Sequence, residues 1–325
     1  MSDGRIERFA ILVLALLLGA FTRPATAQAW TPRQGEGYVS VAFGDDFVRD
    51  HLLSNGDHQD LGHIRSLILA QSIEYGVTDR LAAEITLPIV ASKYLGTRPH
   101  QLPIDNGNYH GGTQDLAVGV RYSVQRRPFA LTPFVTLTVP SRDYTYYAHS
   151  AVGLNMRTLA FGVALGREFE SGLPNTYFQS TYSYSIVERV NGIRPNRNNI
   201  SLEGGYFLGR RFTVRALTDA LISHGGLNVP EDFPELEHSP PTDDEHFHHH
   251  DQTANAKHFN LGGELSVALG PRWEVFGGLT HTLWGENEHA TRFGVSMGVS
   301  RSFTTPWAKQ RSFHASSTAA SANDR

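Results

Sequence analysis

The sequence is 325 residues long, 18% charged, with a formal net charge of −4 and no cysteine. Without a Lys/Arg surplus there is nothing to neutralise a phosphate backbone, so nucleic acid is not an expected partner. Zero cysteine excludes disulfide scaffolds, thiolate metal sites, cysteine nucleophiles and lipid attachment through sulfur. A soluble fold of this size would carry about 25% charged residues, whereas this chain is rich in Gly (31), Phe (18) and Tyr (12).

The first thirty residues read as an export signal. Arg5 and Arg8 give a weakly positive start, and Phe9 to Ala20 form an apolar run too short to cross a bilayer as a helix. Arg23 and Pro24 break that run, and Ala25-Thr26-Ala27 supplies a small-x-small cleavage pattern. Residues 1–27 are therefore expected to be removed, leaving Gln28 as the mature start.

Beyond Gln28 the dominant pattern is alternation at period two, the mark of strands with two unlike faces. It covers residues 37–45, 64–76, 81–90, 114–125, 129–140, 154–168, 176–187, 198–208, 212–222, 258–269, 273–284 and 291–303. In the last segment Phe293, Val295, Met297 and Val299 alternate with Gly294, Ser296, Gly298 and Ser300. The second face is small or polar throughout, with single charges such as Glu84, Arg121, Glu203, Arg215 and Glu264. A soluble sandwich would turn many Lys and Glu outward; a membrane barrel turns its polar face into the lumen. Twelve segments of roughly ten residues match the even strand number and spanning length of such barrels. The expected fold is all-β, a transmembrane antiparallel barrel of twelve strands over residues 28–303, embedded in the lipid of a Gram-negative outer membrane.

The connections alternate as well. Short ones lie at 76–80, 126–128, 208–211 and 270–272, and long ones at 46–63, 91–113, 141–153, 188–197, 223–257 and 285–290. That asymmetry separates periplasmic turns from extracellular loops. The pattern stops at Phe303, a terminal aromatic resembling the signal read by the barrel-assembly machinery, and 304–325 is a polar tail expected to be disordered.

Three stretches carry a resemblance. They are Glu74-Tyr75-Gly76-Val77-Thr78-Asp79-Arg80 leading to Leu87-Pro88, Gly111-Gly112-Thr113-Gln114-Asp115-Leu116 leading to Gly119-Val120-Arg121-Tyr122, and Leu137-Thr138-Val139-Pro140. Together they resemble the outer-membrane family labelled "MetA-pathway of phenol degradation". The resemblance implies transport of small molecules, apolar or aromatic ones among them.

Two constellations could carry chemistry. Of sixteen histidines, fifteen map to the extracellular half in this segmentation. The fifth long loop holds His238, Asp243, Asp244, His246, His248, His249, His250 and Asp251. Imidazole and carboxylate together suit Zn, Ni or Cu, so this loop is the candidate metal site, although no cofactor is required by the fold. Glu84, Arg121, Glu203, Arg215 and Glu264 are the candidate permeation residues. Either they set up a field that orients polar permeants, or they pair across a narrow, plugged interior, and the second reading is favoured for a twelve-stranded barrel. No Gly-x-Ser-x-Gly elbow, Walker loop or His-Glu-x-x-His helix is present, and no catalytic residue is assigned. The expected function is an outer-membrane channel or transporter for small molecules; the alternative is a metal-binding or adhesion surface that uses the barrel as an anchor.

Overall fold

Within a bilayer every backbone N–H and C=O must be satisfied by the protein itself, and only a closed sheet leaves no edge. The computed structural model, which describes residues 29–97, 99–230, 249–306 and 308, meets that requirement with a closed antiparallel barrel of twelve long strands. They are β1 (Glu36–Leu52), β3 (His63–Gly76), β4 (Leu81–Leu95), β6 (Asp115–Tyr122), β7 (Ala130–Pro140), β8 (Thr158–Phe169), β9 (Thr176–Val187), β10 (Asn196–Leu208), β11 (Phe212–His224), β12 (Lys257–Ala268), β13 (Trp273–Glu286) and β14 (Glu288–Thr304). Two short pieces complete the sheet. β2 (His58–Gln59) folds back on β1, and β5 (His110–Thr113) extends β6 along β4. Each strand pairs with its sequence neighbour, and β14 closes onto β1 with Thr304 opposite Glu36 and Glu288 opposite Leu52. The expected export signal at 1–27 and most of the expected tail lie outside the described residues.

The two faces of each strand separate as the alternation requires. Val39, Val41, Phe43, Ile85, Ile89, Val118, Val120, Leu159, Phe161, Leu165, Leu261 and Leu265 point outward, each 38–47% exposed. Left in water, a belt of that extent would be a standing aggregation surface; against lipid it is the favourable solvation. The inner wall carries Ser40, Ser72, Thr132, Gln179, Thr181, Ser183, Ser185, Ser266 and Ser296, all buried. At the turn side of the belt Tyr75 stacks on Phe303 at 6.4 Å and Arg301 lies over Trp273 at 5.0 Å, an interfacial girdle. The architecture is that of an outer-membrane β-barrel.

Most strand ends that depart from the alternation do so on the loop side, while on the turn side β6 stops at Tyr122, short of the expected 125. β1 runs on to Leu52, β4 to Leu95, and β14 begins at Glu288, because these ends stay hydrogen-bonded to their neighbours above the membrane. The expected long loop 285–290 is replaced by the single residue Asn287, held in the left-handed region at φ 51. The β13–β14 register runs from Trp273↔Arg301 to Thr280↔Gly294. Above it β13 stays on β12 and β14 stays on β1, so the wall parts into a wedge with Asn287 at its apex.

Candidate functional site: a lumen closed at both ends

The periplasmic half of the lumen is filled by the segment that precedes β1. Ala29 is buried against Ala130 and Ala164, with Trp30 packed beside them. Thr132 Oγ1 donates to the Ala29 carbonyl at 2.7 Å, and Trp30 meets Tyr177 edge-on at 6.4 Å. Gly166 permits this packing, since a Cβ there would overlap Ala29 and the Trp30 ring. The Arg126 guanidinium holds the Thr31 carbonyl at 3.1 Å, and Gly35 N–H donates to the Gly76 carbonyl at 2.9 Å.

Two ion-pair networks share that layer. Arg121 pairs with Glu74, which lies opposite Glu84 in the β3–β4 register. Arg215 is ringed by Glu264, by Glu274 at 3.1 Å and by Glu203 at 3.7 Å. Its Nε also donates to the Tyr177 hydroxyl at 3.0 Å, while Gln179 donates to Glu203 at 2.8 Å. Two arginines thus face five glutamates. The sequence candidates Arg121 and Glu84 belong to the first network, and Glu203, Arg215 and Glu264 to the second. Pairing removes most of the field each charge would exert alone.

The extracellular mouth is covered by loops that fold inward. Asp105 organises two of them. Its carboxylate accepts from the backbone N–H of His100 (2.9 Å), Gln101 (3.3 Å), His149 (3.0 Å) and Ser150 (3.0 Å), and from Ser150 Oγ at 2.7 Å. A one-turn helix, α1 (His250–Thr253), joins them through Gln252, which donates to the Leu154 carbonyl at 2.6 Å. Asn287 ties the wedge to the same cap by accepting from Val229 N–H at 2.6 Å and donating to the Asn255 carbonyl at 3.1 Å.

Where cap meets wall, five imidazoles and one carboxylate collect: His51 from β1, His100 and His149 from the Asp105-bound loops, His250 and Asp251 from α1, and His289 from β14. His51 and His289 are directly opposite one another in the closing seam, with ring centroids 4.6 Å apart. His100 lies 3.4 Å from His149 and 5.0 Å from His250. Asp251 Oδ1 is 3.1 Å from His289 Nε2 and 3.2 Å from His250 Nε2. His51, His149 and His250 are 4%, 8% and 2% exposed, so water cannot solvate them. Burial pushes the His100 and His149 imidazoles well below their ordinary value, and neighbouring imidazoles push the same way. Burial alone would raise Asp251, but His250 and His289 outweigh it and hold its carboxyl well below the usual range. His100 and His149 are therefore neutral beside an ionised Asp251.

Of the metal candidates read from the fifth loop, His250 and Asp251 enter this cluster. His249 turns to Tyr146, whose hydroxyl is 3.2 Å from its Nε2, and to Gln252 at 2.7 Å. His238, Asp243, Asp244, His246 and His248 lie outside the described residues. Sequence reasoning missed His51, His100, His149 and His289 as partners of His250. They lie in four segments far from His250 in sequence, and only the seam pairing of first and last strands could have signalled the His51–His289 contact.

No family model matches the chain, and no curated protein matches it. Among solved structures it is similar to the COG4313 outer membrane channel from Pseudomonas putida F1, with a TM-score of 0.65 and 14% identity over 87% of this chain and 100% of that one. The NanC porin is more distant, at TM-score 0.45 and 10% identity over 82% of this chain and 99% of the porin. So is the CymD monoaromatic hydrocarbon channel, at TM-score 0.43 and 13% identity over 88% of this chain and 95% of that channel. Similarity at these identities concerns architecture: the chain shares the outer-membrane barrel fold found among channels.

Proposed function

We propose that the protein is a gated channel for small molecules, with its lumen closed at rest by movable parts of the chain. The observation that carries this reading is the nature of the closures. The wall facing the lumen is Ser/Thr-rich and hydrogen-bonded, and besides the Arg121 and Arg215 networks what fills it is an N-terminal segment below and folded loops above. A barrel serving only as an anchor gains nothing from a polar bore. The stretches resembling the "MetA-pathway of phenol degradation" family support apolar or aromatic solutes as the permeant class.

Liposomes loaded with the protein test this directly. Uptake of a monoaromatic acid or phenol should exceed uptake in protein-free liposomes, and a sugar of similar size should enter more slowly. The filled lumen also favours a second reading, an anchor bearing a metal-binding surface; no uptake of any small solute would support that reading instead.

A further inference from the structure

We propose that His51, His250, His289 and Asp251 form a binding site for a divalent transition metal of the zinc class, which clasps the extracellular cap to the barrel seam. Geometry carries most of the weight. The ligand atoms of His51, His250 and His289 all lie within 4.8 Å of one another, as do those of His100, His250 and Asp251. Ligand atoms around a tetrahedral zinc, at bond lengths near 2.0–2.1 Å, are separated by about 3.3 Å. The Asp251 oxygen already stands at 3.1 and 3.2 Å from the His289 and His250 nitrogens. His51 shares its group with His250 and His289, which makes it the candidate for the fourth place.

Chemistry points the same way. Three imidazoles and one carboxylate are a borderline-soft set suited to zinc and its neighbours, not to calcium or magnesium. A hydrogen-bonded knot accounts for the two Asp251 contacts, but not for packing five imidazoles into one dry place. Burying that much polar surface opposes folding, and a metal reverses the sign because its binding energy is available only to the folded arrangement. The ligand rings are backed by neighbours that are themselves fixed: His100 lies 5.0 Å from His250 and His149 lies 6.2 Å from His289, ring centroid to ring centroid, and Asp105 holds the backbone of both His100 and His149. The ligands come from the two strands of the closing seam and from the cap helix, so a bound ion would lock the cap shut.

The test uses the full mature chain in detergent, titrated calorimetrically with zinc chloride after stripping with a chelator. Wild type should bind one zinc tightly, and H51A, H289A and D251N should each weaken that binding at least tenfold. A deletion of residues 238–248 should leave it within threefold, which separates this site from the neighbouring His-rich stretch. Because an alanine variant could misassemble, wild type is also loaded with cobalt(II): intense visible absorption of a tetrahedral nitrogen/oxygen complex is expected. Absence of tight zinc binding, an octahedral cobalt spectrum, or binding lost with 238–248 but kept in H51A and H289A would each overturn the proposal. Channel activity is not needed for any of these readouts, so failure of the transport reading leaves the test intact.

Discussion

Among single residues, Arg215 governs the lumen and Asp105 the cap. Arg215 lies against Glu203, Glu264 and Glu274 together. Removing it leaves carboxylates buried without compensation, a loss of about 3–5 kcal/mol. R215M should therefore lower the denaturant midpoint of the barrel, and R215M/E264Q should recover part of it; equal midpoints for wild type and R215M would contradict the network. Asp105 has a different task. Its truncation strands four backbone N–H groups, and each buried orphan costs about 1–3 kcal/mol. D105A should expose the loops around His100 and His149 to rapid proteolysis while the barrel keeps its heat-resistant migration on detergent gels. The individual glutamates and arginines were legible as inward-facing from alternation alone. Their partners were not, because register across strands depends on shear, which a single strand's pattern does not encode.

Among the elements, the N-terminal segment is the closure most open to experiment. It is held by Thr132, Arg126 and the room left at Gly166. G166L should expel Ala29 and Trp30 from the lumen without disturbing β8, whose outward face is unchanged. The chain lacks cysteine, so a single A29C probe reports cleanly: shielded from a water-soluble maleimide in the parent, labelled in the G166L background. Equal labelling in both would place the segment outside the lumen. Strand positions were readable because lipid on one side and a polar bore on the other enforce period-two alternation along every strand. The cap was not readable. Loops at 99–109 and 144–156 carry no periodicity, and their structure comes from buried hydrogen bonds to one carboxylate. The shortened connection at Asn287 was hidden for a related reason, since residues 285–290 sit where β13 and β14 part and lose the common register that makes alternation visible.

For the barrel taken together, the closing seam joins fold to function. β1 and β14 stay paired from Glu36↔Thr304 to Leu52↔Glu288, and His51 meets His289 only because this seam closes. Phe303 lies at its lower end, opposite Gly37 and stacked on Tyr75. F303A should reduce outer-membrane yield far more than F313A; equal yields would mean that the barrel-assembly machinery reads a different terminus. A channel held closed by movable parts should still open occasionally, and single-channel recording of the full mature chain in planar bilayers shows whether it does. Brief, small openings are expected in the wild type, becoming longer in G166L or D105A. A steady wide conductance in the wild type, or no conductance steps in wild type and both variants, would contradict closure by movable parts.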